Sequence, residues 1–414
     1  MSDQTSDTAG AAAGGSRPDN EDQVFDLLRW AVAEREPLSI RGHGTKNGLG
    51  HPVQDGHRLD LSGLSGVTLY EPEELVLSAG AGTPLEEIRQ LLFENRQQLA
   101  FEPMDPGPLF GRPAGGQTIG GVVGANLAGP RRIKAGAVRD HVLGFHAVSG
   151  RGERFKSGGR VMKNVTGYDL SKLMTGSFGT LAVMTDVTVK VLPEPEKVRT
   201  VLIRGCDDAA AIQALAEAAG SPHETSGLAH LPAALAARST VSYVAEAGAA
   251  VTAVRIEGPG PSVEHRCAAL RRELAAYGES EELHGHNSRT FWHEVRDVDV
   301  LLPDRDRVLW RLSVTPSAAP GLVAALSETL GLEALYDWAG GLIWLALTEP
   351  EAERVREAVK GRGHATLFRA SDEARRQIAV FQPQPAPLAA LARRVKQSFD
   401  PHHILNPGRM DPSD

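Results

Sequence analysis

GGQTIGGVVGANLAGPRR, residues 115–132, and KNVTGYDLSKLMTGSFGTLAVMTDVTVKVLP, residues 163–193, are the stretches on which the fold turns. Six glycines fall within residues 115–129, in an order that suits no helix interior, where each costs roughly 1 kcal/mol against alanine. Glycine at that density brings backbone close to a ligand and leaves N–H groups free to point at it. Thr118 is placed to cap a short helix starting near Ile119, and a helix start presents unpaired N–H donors and the positive end of a dipole to an anion. The second stretch closes in strict alternation: Leu181, Val183, Thr185, Val187, Val189 and Val191. That pattern predicts a long strand with those residues on one face, ended by Pro193. Glycine turn, helix start and strand together predict a cradle for a phosphate-bearing cofactor. Tight turns in an α/β core are the plainer reading of the same residues.

A second glycine loop, RGHGTKNGLG at residues 41–50, strengthens the first reading. Gly42 and Gly44 permit alternating φ signs, so that neighbouring N–H groups converge on one anion. Arg41 and Lys46 add charge, unless they are solvated loop cations. A third run, residues 75–97, reads as a strand entering a helix, with Thr83 as cap, Pro84 in the first turn and Glu86 completing a capping box. Its Gly80 and Gly82 are followed by Leu85, so the GxGxxG dinucleotide fingerprint is only half present.

Composition sets the outer bounds. The chain has 414 residues, 41% hydrophobic and 23% charged, ordinary for a globular protein with two or three cores. A net charge of −8 without a basic arm speaks against a nucleic-acid partner. Two cysteines, Cys206 and Cys267, cannot ligate an iron–sulfur cluster by themselves, and so few suit a reducing cytoplasm. The opening residues lack the basic and apolar regions of a secretory signal, and no apolar run reaches the ~18 residues of a membrane span.

Four segments are expected. Residues 1–20 are Gly, Ala, Ser, Asp and Thr with little to bury, and read as a disordered tail. Residues 21–193 form the cofactor unit, opening with a helix in which Val24, Leu27, Leu28 and Val32 recur at helical spacing. Residues 194–381 change to short strands alternating with amphipathic helices, twice in the order βαββαβ, with one strand placed near TVSYVAE (240–246). These read as two ferredoxin-like half-units sharing one antiparallel sheet as a cap. Residues 382–414 return as a Pro-rich crossing, a helix made by Leu388, Leu391, Val395 and Phe399 and ended by Pro401, and the NPGR loop from Asn406 to Arg409.

TIGG, RDHVLG, KNVTGYDL and GSFGTL, with RGHGTK, resemble in order and spacing the FAD domain of the PCMH-type, vanillyl-alcohol-oxidase-like flavoproteins. AFEPMDP, the run 149–174 and FDPHHILNPGRM narrow this to the FAD-binding subunits of bacterial glycolate oxidase. The resemblance implies an α+β fold, a PCMH-type FAD-binding domain of two α/β subdomains plus the α+β cap. It implies FAD held by Arg41, Gly42, His43, Gly44, Thr45 and Lys46 in the first loop, and by Thr118, Ile119, Gly120, Gly121 and Asn126 in the second. It adds Lys163, Gly179, Thr180, Leu181 and Val183 in the later motifs, with Thr180 donating a side-chain hydrogen bond, and Asn406 and Arg409 in the tail. Relatives with a histidyl flavin link carry it where Thr45 stands, so the FAD is expected to be non-covalent and His43 incidental.

A cation beside the flavin N1–C2=O edge would favour negative charge there. Arg131, Arg132, Lys163 and Arg409 are the candidates. No catalytic base is identified. Related D-lactate-type enzymes carry paired histidines with metal-ligand character, which this chain lacks. His284 and His286 are the nearest approach and read as solvated, as do His402 and His403, so no metal is expected. The implied role is therefore a redox subunit working with a larger FAD-containing, hydroxy-acid-oxidising subunit and an iron–sulfur subunit. It would be cytoplasmic, touching the inner face of the plasma membrane only through partners. A self-sufficient hydroxy-acid or alcohol dehydrogenase and a non-catalytic assembly subunit are the alternatives.

Overall fold

Residues 14–53, 56–159 and 167–412 are described by a computed structural model. Asn20 caps the first helix, Glu21–Glu34, by accepting from the Gln23 N–H, and Glu21 and Asp22 complement its dipole. Val24, Leu28 and Ala31 bury its inner face against strands Leu38–Arg41 and His57–Asp60, which run parallel. Gly15–Ser16 adds a third strand beside Arg58 and Leu59. The stretch expected to be disordered is thus ordered from residue 14, because its backbone pairs with a strand edge that needs partners; residues 1–13 lie outside the described residues.

A five-stranded antiparallel sheet follows, in the order Val67–Glu71, Val76–Gly80, Ala182–Lys190, Val142–Ser149, Arg154–Gly158. Its central strand departs from the alternation read in the sequence. Asp186 pairs with His146 but Met184 pairs with Ala147, so Thr185 is an extra, bulged residue. The bulge reverses the faces. Val183 packs on the first helix's cluster, whereas Met184, Val187 and Val189 share the opposite one. Leu181 and Val191 join that second cluster. The helix Leu85–Glu94 begins one residue later than expected, with Pro84 at its cap and no side-chain capping bond. Thr83 instead donates to the Gly80 carbonyl at 2.7 Å and takes the Gly66 N–H at 3.0 Å.

From Lys197 to Arg369 the chain builds one eight-stranded antiparallel sheet. Its order is Ser280–His284, Lys197–Arg204, Val251–Gly258, Gly227–Leu231, Leu332–Asp337, Leu342–Leu347, Val308–Val314, Gly363–Arg369. The two halves repeat one topology and meet at a seam with the backbone pair His230–Tyr336. Asp208 reinforces it, accepting from the Tyr336 hydroxyl at 2.5 Å and lying 3.3 Å from His230 Nε2. One face of the sheet carries the helices, through Ile212, Leu215, Val263, Leu270, Leu322 and Val355. The other packs Leu309, Leu335, Trp344 and Phe368 onto Leu49, Met104, Leu109, Ala125 and Leu127 of the first unit. TVSYVAE is not a strand. Ser242–Ala245 is a helical turn there, because buried Glu294 accepts from the Ser239 hydroxyl and the Thr240 N–H and pulls the chain round. The missing strand is Gly227–Leu231.

The helix Ala386–Phe399 forms as read, with Val395 and Phe399 packed partly buried on the core of the cofactor unit. Leu388 and Leu391 are 53% and 47% exposed, and its buried residue is Lys396. Lys396 Nζ donates to Asp400 at 2.7 Å, to the Thr180 carbonyl at 2.9 Å and to the Leu405 carbonyl at 3.2 Å. Asp400 in turn accepts the Ile404 and Leu405 N–H groups. Removing one partner strands a buried charge. Lys396→Met should cost roughly 3–5 kcal/mol of unfolding free energy in urea titration, whereas Leu388→Ser should stay within about 0.5 kcal/mol of the parent.

Candidate functional site

Four segments far apart in sequence close on one cleft: residues 40–47, residues 118–125, residues 178–184, and the tail residues Asn406 and Arg409. The first two supply backbone that glycine alone keeps clear. A Cβ on Gly42 would lie 2.5 Å from Thr118 Oγ1, and one on Gly120 would lie 2.7 Å from the Ala81 carbonyl. The helix Ile119–Ala125 points its start into the cleft, with Thr118 accepting the Gly121 N–H. Gly44 at φ +75 gives its loop the left-handed turn that a converging set of N–H groups requires.

Two buried cations frame this backbone. Lys46 Nζ donates to Gln117 Oε1 at 2.8 Å and forms no ion pair among the described residues; burial lowers its pKa to about 8, with Asp105 partly opposing. Arg409 donates to the Lys46 carbonyl at 2.7 Å, also without a carboxylate partner among the described residues, and burial lowers it to about 10. Gln117 Nε2 is buried without an acceptor among the described residues. Asn406 ties the walls together. Its Oδ1 accepts the Ile40 N–H at 2.8 Å and its Nδ2 donates to the Phe178 carbonyl at 2.8 Å. Uncompensated buried cations beside a helix start and glycine-cleared backbone fit a diphosphate.

The comparisons agree with that chemistry. A family described as FAD binding domain matches residues 13–158. Glycolate oxidase subunit GlcE of Escherichia coli (strain K12) is 37% identical over 95% of this chain and 97% of its own length. The chain belongs to the glycolate oxidase subunit GlcE family. FAD is its cofactor, and it is a FAD-dependent oxidoreductase. Glycolate oxidase subunit GlcD of Bacillus subtilis (strain 168) is 33% identical over 45% of this chain and 38% of that protein. In fold it is similar to 4-ethylphenol oxidase from Gulosibacter chungangensis, with a TM-score of 0.69 at 13% identity over 98% of this chain and 90% of that one. The architecture is that of the vanillyl-alcohol-oxidase-type flavoproteins.

Of the residues read from the GlcE-like motifs, Arg41, Gly42, His43, Gly44, Thr45, Lys46, Thr118, Gly120, Gly121, Gly179, Val183, Asn406 and Arg409 line the cleft. Ile119 and Leu181 are in the apolar core instead, since helix and strand turn those side chains away from the cleft. Asn126 ends the helix in a left-handed turn and accepts the Arg139 N–H. The Thr180 hydroxyl is engaged by the Ser177 carbonyl at 2.7 Å, as a buried hydroxyl in a tight turn must be. Lys163 lies outside the described residues. Ala81, Gly124, Phe178, Ala182 and Met184 also line the cleft.

Arg131 is not a free cation. It forms a bidentate pair with Glu257 at 2.7 and 2.9 Å and a further contact with Glu102, which itself grips Arg255. These two arginines hold Glu257 down to about 2 against the opposing effect of burial. The network clamps the cap onto the first unit. His284 and His286 are exposed.

FAD affinity should fall as pH rises through about 8, by roughly tenfold per pH unit until the bound-state amine titrates. Below that pH Lys46 is cationic in the free protein, and above it binding must first recruit a proton. Fluorescence titration of FAD into apoprotein measures this, and Lys46→Met should bind more weakly and lose the slope.

Proposed function

We propose that this chain is the FAD-binding redox subunit of a multi-subunit 2-hydroxy-acid dehydrogenase acting on CH–OH groups, with glycolate as the substrate class. In this reading it passes electrons between a larger flavin subunit that oxidises the hydroxy acid and an iron–sulfur subunit leading to quinone. The observation that carries it is the match to glycolate oxidase subunit GlcE along 95% of the chain, together with a cleft lined by Gly42, Gly44, Gly120, Gly121 and Gly179. Bound FAD supplies the two-electron acceptor; the protein holds and shields it. Lys46 and Arg409 neutralise the diphosphate, the helix start at Thr118 donates N–H groups to it, and Asn406 fixes the wall beside Phe178. Arg41, Gly42, Gly44, Thr45, Gly120, Gly121, Gly179 and Val183 complete the proposed contacts.

Partners follow from what the residues can and cannot ligate. Cys206 and Cys267 are both buried free thiols, too few for a cluster. Among the described residues no group of three His, Cys, Asp or Glu side chains is placed to hold a metal. Among them, too, no helix is long and apolar enough to cross a membrane. A cytoplasmic subunit that meets the membrane through its partners is the arrangement we favour.

Thr45 occupies the position where a histidyl link would form, so acid precipitation should release all yellow colour to the supernatant; flavin kept in the pellet would refute a non-covalent site. The purified chain, although yellow, should show little glycolate or D-lactate oxidation with a dye acceptor. Adding the hydroxy-acid-oxidising partner should restore dye-linked turnover, and quinone-linked turnover should need the iron–sulfur partner as well. Robust turnover by the chain alone would favour a self-sufficient dehydrogenase.

A further inference from the structure

The C-terminal helix Ala386–Phe399 is half seated on the fold and half clear of it. Leu388, Leu391, Ala392, Val395 and Phe399 recur at helical spacing and share one arc of about 100° around its axis. The far end of that stripe is covered: Val395 and Phe399 pack on the core of the cofactor unit, and Lys396 beside them is buried. The near end is not. Ala386, Pro387, Leu388, Ala390, Leu391 and Ala392 are all exposed, so the apolar stripe runs past the edge of its own domain for about two turns. The helix start does not compensate, because Pro385 makes no side-chain capping bond. A helix of this length is marginal in water unless its apolar face is packed.

The charge around the overhang has one sign. From Gln377 to Phe399 the sequence holds Arg393, Arg394 and Lys396 and no carboxylate, in a chain whose net charge is −8. Lys396 is turned inward onto Asp400. Arg393 and Arg394 are exposed and enter no ion pair among the described residues; the helical turn places them on either side of the stripe.

The segment is also tied to the cofactor cleft. Phe381, just ahead of the helix, packs on Phe178 of the cleft wall with ring centres 5.4 Å apart. Lys396 donates to the Thr180 carbonyl at 2.9 Å, and Gly179 between those two anchor points lines the cleft. Met410, 38% exposed, lies 3.6 Å from the Thr180 hydroxyl and adds open apolar surface at the same turn.

We infer that the uncovered stripe at Leu388, Leu391 and Ala392, rimmed by Arg393 and Arg394, is the docking face for the iron–sulfur subunit, a partner offering an apolar groove with carboxylates at its edges. The inference rests on the redox-subunit reading above. Leu388, Leu391, Ala392 and Val395 stand at i, i+3, i+4 and i+7, the anchor pattern by which an amphipathic helix enters such a groove. Thiolate ligation gives iron–sulfur clusters net negative charge, so a cationic rim attracts an iron–sulfur carrier and speeds its encounter. A second copy of this chain fits less well, since two such helices face to face would bring their arginine pairs together. A carrier seated here stands at the segment that holds Phe178 and Thr180, beside the wall of the flavin cleft.

The test is biolayer interferometry of the full FAD-loaded chain against the purified iron–sulfur subunit, with flavin content read by absorbance and folding by circular dichroism. The parent should bind saturably, and more weakly as salt rises. Leu388→Glu combined with Leu391→Glu should weaken binding about 10- to 100-fold. Arg393→Glu combined with Arg394→Glu should also weaken it and remove most of the salt dependence. Tyr243→Glu, on an exposed helical turn of the cap, should change nothing. Should the leucine variant misfold, the arginine variant decides. Parental affinity in either variant, once shown to be folded and flavin-loaded, overturns the docking face alone. So does a leucine variant that loses the hydroxy-acid-oxidising subunit instead, or a dimeric parent that the same change makes monomeric. A parent that binds no iron–sulfur subunit at all refutes the redox-subunit reading and this face with it.

Discussion

A lysine and an aspartate buried from water hold the cofactor site together. Lys396 and Asp400 face each other at 2.7 Å, and both use their remaining capacity on backbone: Thr180 and Leu405 carbonyls for the amine, Ile404 and Leu405 N–H groups for the carboxylate. Such a pair is costly to bury and costlier to break. Its effect is positional. It joins the C-terminal segment to the GSFGTL turn, so that Leu405 bridges to Leu38 and Asn406 spans Ile40 and Phe178. The cleft's far wall is therefore a property of residues more than two hundred positions from its near wall.

The Arg131, Arg255, Glu102 and Glu257 network acts similarly at the junction of cap and cofactor unit. Its members come from three remote segments, and their charges are balanced in place. By contrast, Lys46 and Arg409 line the cleft and form no ion pair among the described residues. Paired charges build the joints of this molecule; unpaired ones mark where anions belong.

Much of this was legible in the sequence, and the reason differs by region. Glycine loops read well because glycine is required by backbone geometry, which is local: Gly44 needs its positive φ, and Gly42 its missing Cβ, whatever lies elsewhere. The cap's repeated βαββαβ read well because period 2 and period 3.6 alternate cleanly along it. The misreadings share a cause, a remote partner overriding local preference. TVSYVAE has strand-forming residues, but Glu294 bends it. Adjacent Arg131 and Arg132 are indistinguishable in sequence, and only Glu102 and Glu257 tell them apart.

The seam of the cap sheet has a consequence for how the chain can be made. Gly227–Leu231 and Leu332–Asp337 are the edges where the two halves meet, and the first of these is buried at all five positions. Cut apart, each half would offer solvent a flat, unpaired strand with free N–H and C=O groups, the template on which chains add to one another. The outer edges are blunted differently, by Glu281 and Glu282 with their arginines on one side and by a glycine-led strand on the other. Duplication therefore left neither half self-sufficient. A ribosome releasing the first half must keep it from its neighbours until the second emerges, and aggregation during synthesis is the hazard this architecture carries.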